Sequence, residues 1–334
     1  ATYLLTLAVG EYERIEGPPV GDVDIRHYVF PEDAPKATPA LSATNEILPF
    51  FAEMIAPYPF DSYGYVEVLL PGLAMETQTM VMMDREAITN VGVMAHEAAH
   101  HWFGNSITPA TWGDIWLNEG FATYLELLWS TRDDGDLEAG LGQMEATILR
   151  RADTEDEPLD APEPRYMFAV NTYFKGAWVL HMLRQEIGDD TFFETLRHYY
   201  QRFADGNART ADLQAVAEEV SGRDLDAFFG QWVSGPGQPD LQVSWTARPA
   251  EGGAAIDVQV CQLQRPDVFA VPLDFNIGGT GALHRDRAML DERQERLSLT
   301  LPFTPTEIIL DPDQQLLAET STREVEALQG CPGE

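Results

Sequence analysis

The sequence predicts an α+β chain: a mostly helical region gathered around one histidine-bearing helix, then a β-sandwich region. Three observations predict it. An apolar run over 91–103 carries histidines at helical spacing. Helix-period patterns then recur over 137–151, 172–186, 191–203, 210–220 and 225–233. Beyond Ser234-Gly235-Pro236-Gly237-Gln238-Pro239 the pattern changes to short strands separated by turns.

In chain order, residues 1–9 are apolar and β-branched enough to be a strand, and 22–30 alternates as another. Residues 38–56 have the apolar spacing of a helix, stopped by Pro57 and Pro59. Residues 65–70 read as a strand ending at Pro71-Gly72, and 78–83 as a further short strand. The histidine helix and a second helical stretch around Glu119 follow. Acidic, polar breaks fall at 133–136 and 153–164. Asp190 or Thr191, and Thr210, are the expected helix caps. Strands are expected over 241–246, 255–262, 270–277, 296–301 and 307–310. The tail from Thr320 reads as a short helix or as disordered.

With 334 residues the chain can hold two or three domains and a sizeable core. Its formal net charge is -34, and Lys36 and Lys175 are its only lysines. Such a surface repels nucleic acid and anionic membranes and favours cationic ligands, weakly at high salt. It fits a salt-adapted source and an ordinary acidic protein alike. No window approaches 18 consecutive apolar residues, so no membrane span is expected. The chain shows no initiator Met and no signal peptide, and its compartment, cytoplasmic or secreted, stays open. Cys261 and Cys331 allow one bridge, tying the tail to the last domain, in an oxidising compartment.

His96-Glu97-Ala98-Ala99-His100 is the centre of the chain. Four residues on a helix rotate by about 400°, so His96 and His100 share a face and can grip one metal ion. Glu97 projects roughly 100° away, within reach of a water on that metal. Glu119 lies 19 positions after His100, in Trp116-Leu117-Asn118-Glu119-Gly120-Phe121-Ala122. If a second helix runs antiparallel, Glu119 becomes the third ligand, and two His with one Glu leave a fourth position for water, the composition of a catalytic zinc site. His101 lies about 100° from His100 and, like Trp102, reads as a packing residue.

These stretches, with His101-Trp102-Phe103-Gly104-Asn105 after the second histidine, resemble the aminopeptidase N family of zinc metallopeptidases, gluzincins that also include leukotriene-A hydrolase. The resemblance covers about 58–233. It implies a thermolysin-like catalytic domain with one zinc ion held by His96, His100 and Glu119, and Glu97 as the catalytic base. Ala74-Met75-Glu76 resembles the family's G-x-M-E-N segment, although Leu73 and Thr77 depart from it. By that likeness Ala74 and Met75 line the substrate cleft and Glu76 binds the substrate's free α-amine. Tyr173-Phe174-Lys175-Gly176 matches Y-x-K-G, which implies that Tyr173 donates its hydroxyl to the oxyanion.

The resemblance divides the chain into 1–20, the end of a largely absent N-terminal β domain; 21–235, the zinc peptidase domain; 240–320, a β-sandwich; and a tail over 321–334. The function it implies is removal of N-terminal residues from peptides with a free N-terminus. Two alternatives remain at this point: an endopeptidase using the same zinc chemistry, and a catalytically silent binding or scaffold protein on the same fold. Oligomeric state is not legible.

Overall fold

Residues 2–133, 135–150, 157–265 and 267–332 are described by a computed structural model. They fall into two units, 1–148 with 157–235, and 236–334 with 149–156.

The first unit opens with strands β1 (Glu13–Glu16) and β2 (Asp24–Val29), then helices α1 (Ala34–Leu41) and α2 (Thr44–Met54). Strands β3 (Ser62–Tyr63), β4 (Tyr65–Val68), β5 (Ala74–Met75) and β6 (Val81–Asp84) complete a sheet of order β1-β2-β4-β6-β5, with β3 on β2. Because β4 lies between two parallel partners, all four of its residues are buried, whereas β2 alternates. Strand β5 pairs antiparallel with β6 (Ala74 opposite Met83, Met75 opposite Met82), so residue 76 leaves the sheet at its edge.

The histidine helix α3 (Val91–Ala99) is started by Asn90, whose side chain accepts from the N–H groups of Gly92 and Val93 at 3.0 and 3.3 Å. Then come β7 (Ile107–Pro109), α4 (Trp116–Ser130), α5 (Leu137–Ile148), α6 (Gly176–Ile187), α7 (Asp189–Phe203), β8 (Gly206–Ala208), α8 (Thr210–Ser221) and α9 (Asp226–Phe229). β7 and β8 pair in parallel. Asn171–Lys175 forms a π-helical turn directly before α6. Among the described residues, no helix is long and apolar enough to cross a membrane.

The second unit carries β9 (Asp240–Ala250), β10 (Gly253–Gln262), β11 (Val271–Gly279), β12 (Ala282–Leu290), β13 (Gln294–Leu301), β14 (Pro305–Leu310) and β15 (Glu319–Glu324). They make two sheets, β13-β10-β9-β15 and β12-β11-β14. Val243, Trp245, Ile256, Val258, Leu273, Phe275 and Ile277 are buried. Cys261 and Cys331 are joined in a disulfide.

Several expectations are corrected. Among the described residues of 1–9 there is no strand: Thr2–Leu4 is a 3-10 turn, and Leu5, Leu7 and Val9 are exposed rather than paired in a sheet. β1, inside 1–20, pairs with β2. The single helix over 38–56 is two helices. The Ser42 hydroxyl takes the Pro39 carbonyl at 2.7 Å, and the Ala43 N–H turns to Ala40 instead. The histidine helix stops at Ala99 rather than 103, as i→i−3 bonds from His101 and Trp102 tighten the chain. Neither Asp190 nor Thr191 caps α7, which begins after Gly188. Thr210 is inside α8, and its cap position is Arg209, whose N–H is taken by the Asp212 carboxylate at 2.8 Å. Strand β12 had no expectation, and part of the tail, taken for a helix or disordered, is strand β15, parallel to β9. The break expected over 153–164 lies partly outside the described residues.

Candidate metal centre

Helices α3 and α4 bring the three expected ligands together. One ligand atom each from His96, His100 and Glu119 lies within 4.8 Å of the others, and all three residues are buried or nearly so. His100 keeps helical backbone angles (φ -56°, ψ -24°) at the end of α3, so the one-turn relation to His96 survives the early helix end.

The orientation of each imidazole has a separate cause. His96 Nδ1 lies 3.2 Å from Glu126 Oε2, and His100 Nδ1 lies 3.3 Å from the Phe103 carbonyl. Both partners are acceptors, so each ring donates from Nδ1 and turns the Nε2 lone pair inward. Both Nε2 atoms stand 3.4 Å from the same Glu119 oxygen, Oε2. Two lone pairs facing one carboxylate oxygen is a repulsive arrangement unless a cation lies between them.

Charge tells the same story. Burial pulls His100 down, but Glu119 and Glu76 outweigh it and hold the ring at about 9. Burial also opposes a charged His96, and Glu119 and Glu126 override it, holding it well above its ordinary value. Burial works against ionised Glu119, yet His100 and then His96 bring it to about 2. Glu76, Glu119 and Glu126 together thus favour positive charge at the site. Glu97, one position along α3, is pushed up to about 7 by burial against the pull of His100 and His96. Its Oε2 is buried with no hydrogen-bond partner among the described residues. The donor set, the converging Nε2 atoms and this orphaned oxygen fit a divalent metal with a polar ligand beside it.

Close backbone approach places the remaining groups. Gly120 of α4 meets Gly176 of α6: a Cβ on Gly120 would come 2.9 Å from the Gly176 carbonyl carbon, and one on Gly176 would come 3.0 Å from the Gly120 Cα. That contact draws the π turn bearing Tyr173 against the helix bearing Glu119. The Tyr173 ring lies 6.2 Å from His96, tilted by 21°. Burial first, then Glu119 and Glu97, raise its hydroxyl pKa, so it stays a donor.

Glu76 follows β5 and is buried. Its carboxylate, Glu97 and His100 form a second grouping within 4.8 Å. The Asn118 side-chain amide donates to Glu76 Oε1 at 3.2 Å. Ala74, Met75, Glu76, Glu97, Glu119 and Tyr173 all line one cavity of about 490 Å³ with the two histidines. A larger cavity, about 610 Å³ between residues 4–8 and the sheet, is lined by no imidazole or carboxylate among the described residues.

His101 stands outside the site. It lies 3.1 Å from the Glu97 carbonyl through Nδ1 and accepts from the Thr79 N–H through Nε2 at 3.2 Å, among Tyr58, Phe60 and Tyr63. Burial draws it down to about 3. Glu126 was missed by sequence reasoning, although its place seven residues after Glu119, two turns along one helix, was visible. Asn105 and Asn118 were noted only as parts of motifs.

Residues 40–232 match the family model described as the peptidase family M1 domain. Aminopeptidase N of Oryctolagus cuniculus is 32% identical over 289 residues, which cover 74% of this chain and 29% of that protein. Probable aminopeptidase 1 of Sulfurisphaera tokodaii is 25% identical over 325 residues, covering 89% of this chain and 40% of the relative. The crystal structure of an M1 zinc metallopeptidase from Deinococcus radiodurans superposes with a TM-score of 0.59 at 31% identity, over 69% of this chain and 53% of that one. The chain therefore spans well under half the length of these curated relatives.

Proposed function

The chain belongs to the M1 family of peptidases, and on that premise we propose that it is a zinc-dependent aminopeptidase acting on peptides with a free N-terminus. The observation that carries the reading is the meeting of two imidazole Nε2 atoms at one Glu119 oxygen beside the unpartnered Glu97 Oε2. The thermolysin-like character of the first unit and the sandwich character of the second belong to the same proposal.

His96, His100 and Glu119 would hold one zinc ion, for which two imidazoles and a carboxylate are a suitable set. The chemistry a bound zinc supplies is Lewis acidity toward the scissile carbonyl and toward water. Glu97 accepts the attacking water's proton at Oε2 and carries it to the leaving nitrogen. A carboxyl held near neutrality by burial suits both halves of that transfer. Tyr173, kept protonated, donates to the oxyanion, a contribution of about 2.7–4 kcal/mol where such a donor is preorganised. Glu76 holds the substrate's ammonium group. Its buried charge tolerates a cationic N-terminus and rejects the mid-chain amide an endopeptidase would present.

Metal analysis and one variant test the reading. The protein should bind one zinc per chain, and Glu97→Gln should keep it while losing nearly all turnover of amino-acid arylamides. A zinc-loaded Glu97→Gln protein with wild-type turnover would contradict the assigned base.

A further inference from the structure

Two asparagines in the motif stretches have no part in that mechanism, yet both are buried and both reach Glu76. The Asn105 side-chain amide donates to the Glu76 backbone carbonyl at 2.8 Å. The Asn118 amide donates to the Glu76 carboxylate at 3.2 Å. In each, the amide oxygen is buried with no hydrogen-bond partner among the described residues. The flip is fixed chemically, because the reverse orientation of Asn118 would set an oxygen against a carboxylate oxygen. Leaving two buried oxygens unsatisfied is unfavourable, so the two contacts to Glu76 are what the arrangement secures.

Gly104 completes the device. It has φ +139°, and a Cβ there would come 2.1 Å from Asn118 Oδ1. The Asn118 amide therefore occupies the space that only a glycine leaves open. Asn118 is also the chain neighbour of Glu119, and Asn105 donates its backbone N–H to the His100 carbonyl at 2.9 Å. The two residues that grip Glu76 are thus anchored on the segments that carry two of the candidate metal ligands.

We propose that Asn118, supported by Asn105, is a positioning residue that fixes the Glu76 carboxylate at the distance from the metal centre that a substrate's ammonium group requires, and so sets the discrimination between free and blocked N-termini. The proposal rests on the aminopeptidase reading. A neutral donor on Oε1 keeps that carboxylate in one place without cancelling its charge. The consequence is a contribution to binding of the amine rather than to the chemical step.

The test uses zinc-loaded protein, with leucinol and N-acetyl-leucinol as probes in titration calorimetry. Wild type should bind leucinol the more tightly. Asn118→Ala should keep its zinc and lose about tenfold in leucinol affinity, with the acetylated probe little changed. Asn105→Ala should move in the same direction by a smaller factor, and it serves if Asn118→Ala does not fold. On arylamide substrates the loss should fall in KM and not in kcat. Unchanged leucinol affinity in a folded, zinc-loaded variant of either asparagine would overturn the proposal. If wild type turns over arylamides while the variants show no effect, only the positioning role fails. If wild type does not separate the two probes, the amine seat itself fails and this proposal with it.

Discussion

Glu126 shows how a single residue can orient a candidate metal ligand without standing among the three candidates itself. It shares a face of α4 with Glu119 and accepts from His96 Nδ1, whereas the corresponding partner of His100 is a neutral backbone carbonyl. A carboxylate there fixes the ring's tautomer and strengthens its Nε2 as a donor. Glu126→Ala should therefore weaken zinc binding about 10–100-fold, measured by competition with a chelator. Zinc affinity equal to wild type would show that His96 is oriented by packing alone. At this scale the sequence revealed what helix geometry dictates: His96 and His100 one turn apart, with Glu97 beside them. Asn118 and Asn105 were not legible as positioning groups. Their roles depend on where a short amide lands between strand β5 and the loop after α3, and no spacing rule encodes that.

Elements place these residues by backbone contact. The Gly120–Gly176 meeting of α4 and α6 brings Glu119 and Tyr173 to one cavity, and the sheet does the same for Glu76 through edge strand β5. Inside that sheet, His27 on β2 is buried, stacks on Tyr65 of β4 at 5.5 Å, and accepts the Tyr65 N–H at 3.2 Å. Burial lowers its pKa to about 4, below the ordinary 6.5. The unfolded chain thus binds a proton that the folded chain refuses as pH falls from 6.5 to 4. Stability present above 6.5 should be lost across that window, on the order of 3 kcal/mol from this group, with no further loss below 4. His27→Gln, which keeps an acceptor for Tyr65, should flatten the stability profile between pH 6.5 and 4 in denaturant titrations. An unchanged slope would show that His27 does not govern it. Helices α5 to α8 were legible from their 3.6-residue period, whereas β12, with its run His284-Arg285-Asp286-Arg287, and the wholly polar β15 were not. Those two strands are held by hydrogen bonding to β11 and β9, a long-range cause that local hydrophobicity does not report.

For the molecule as a whole, two properties stand out. The Cys261–Cys331 bridge closes a separation of 70 residues around the second unit, and by the chain-entropy argument such a closure stabilises by roughly 4 kcal/mol. The sequence left that pairing open, because two cysteines without a known compartment do not decide it. The net charge of -34 is the other property. It is repeated locally in a cavity lined by Glu76, Glu97, Glu119 and Glu126, a field that favours cations. One of those carboxylates, Glu76, is the group proposed to make the protein read a free N-terminus. The most direct test of that role is the rate at which the zinc-loaded protein cleaves a peptide and the N-acetylated form of the same peptide. Cleavage of the free peptide is expected, with a loss of roughly two decades or more on acetylation, because the buried carboxylate then faces a neutral amide in place of a cation. Equal cleavage of the two peptides would contradict it.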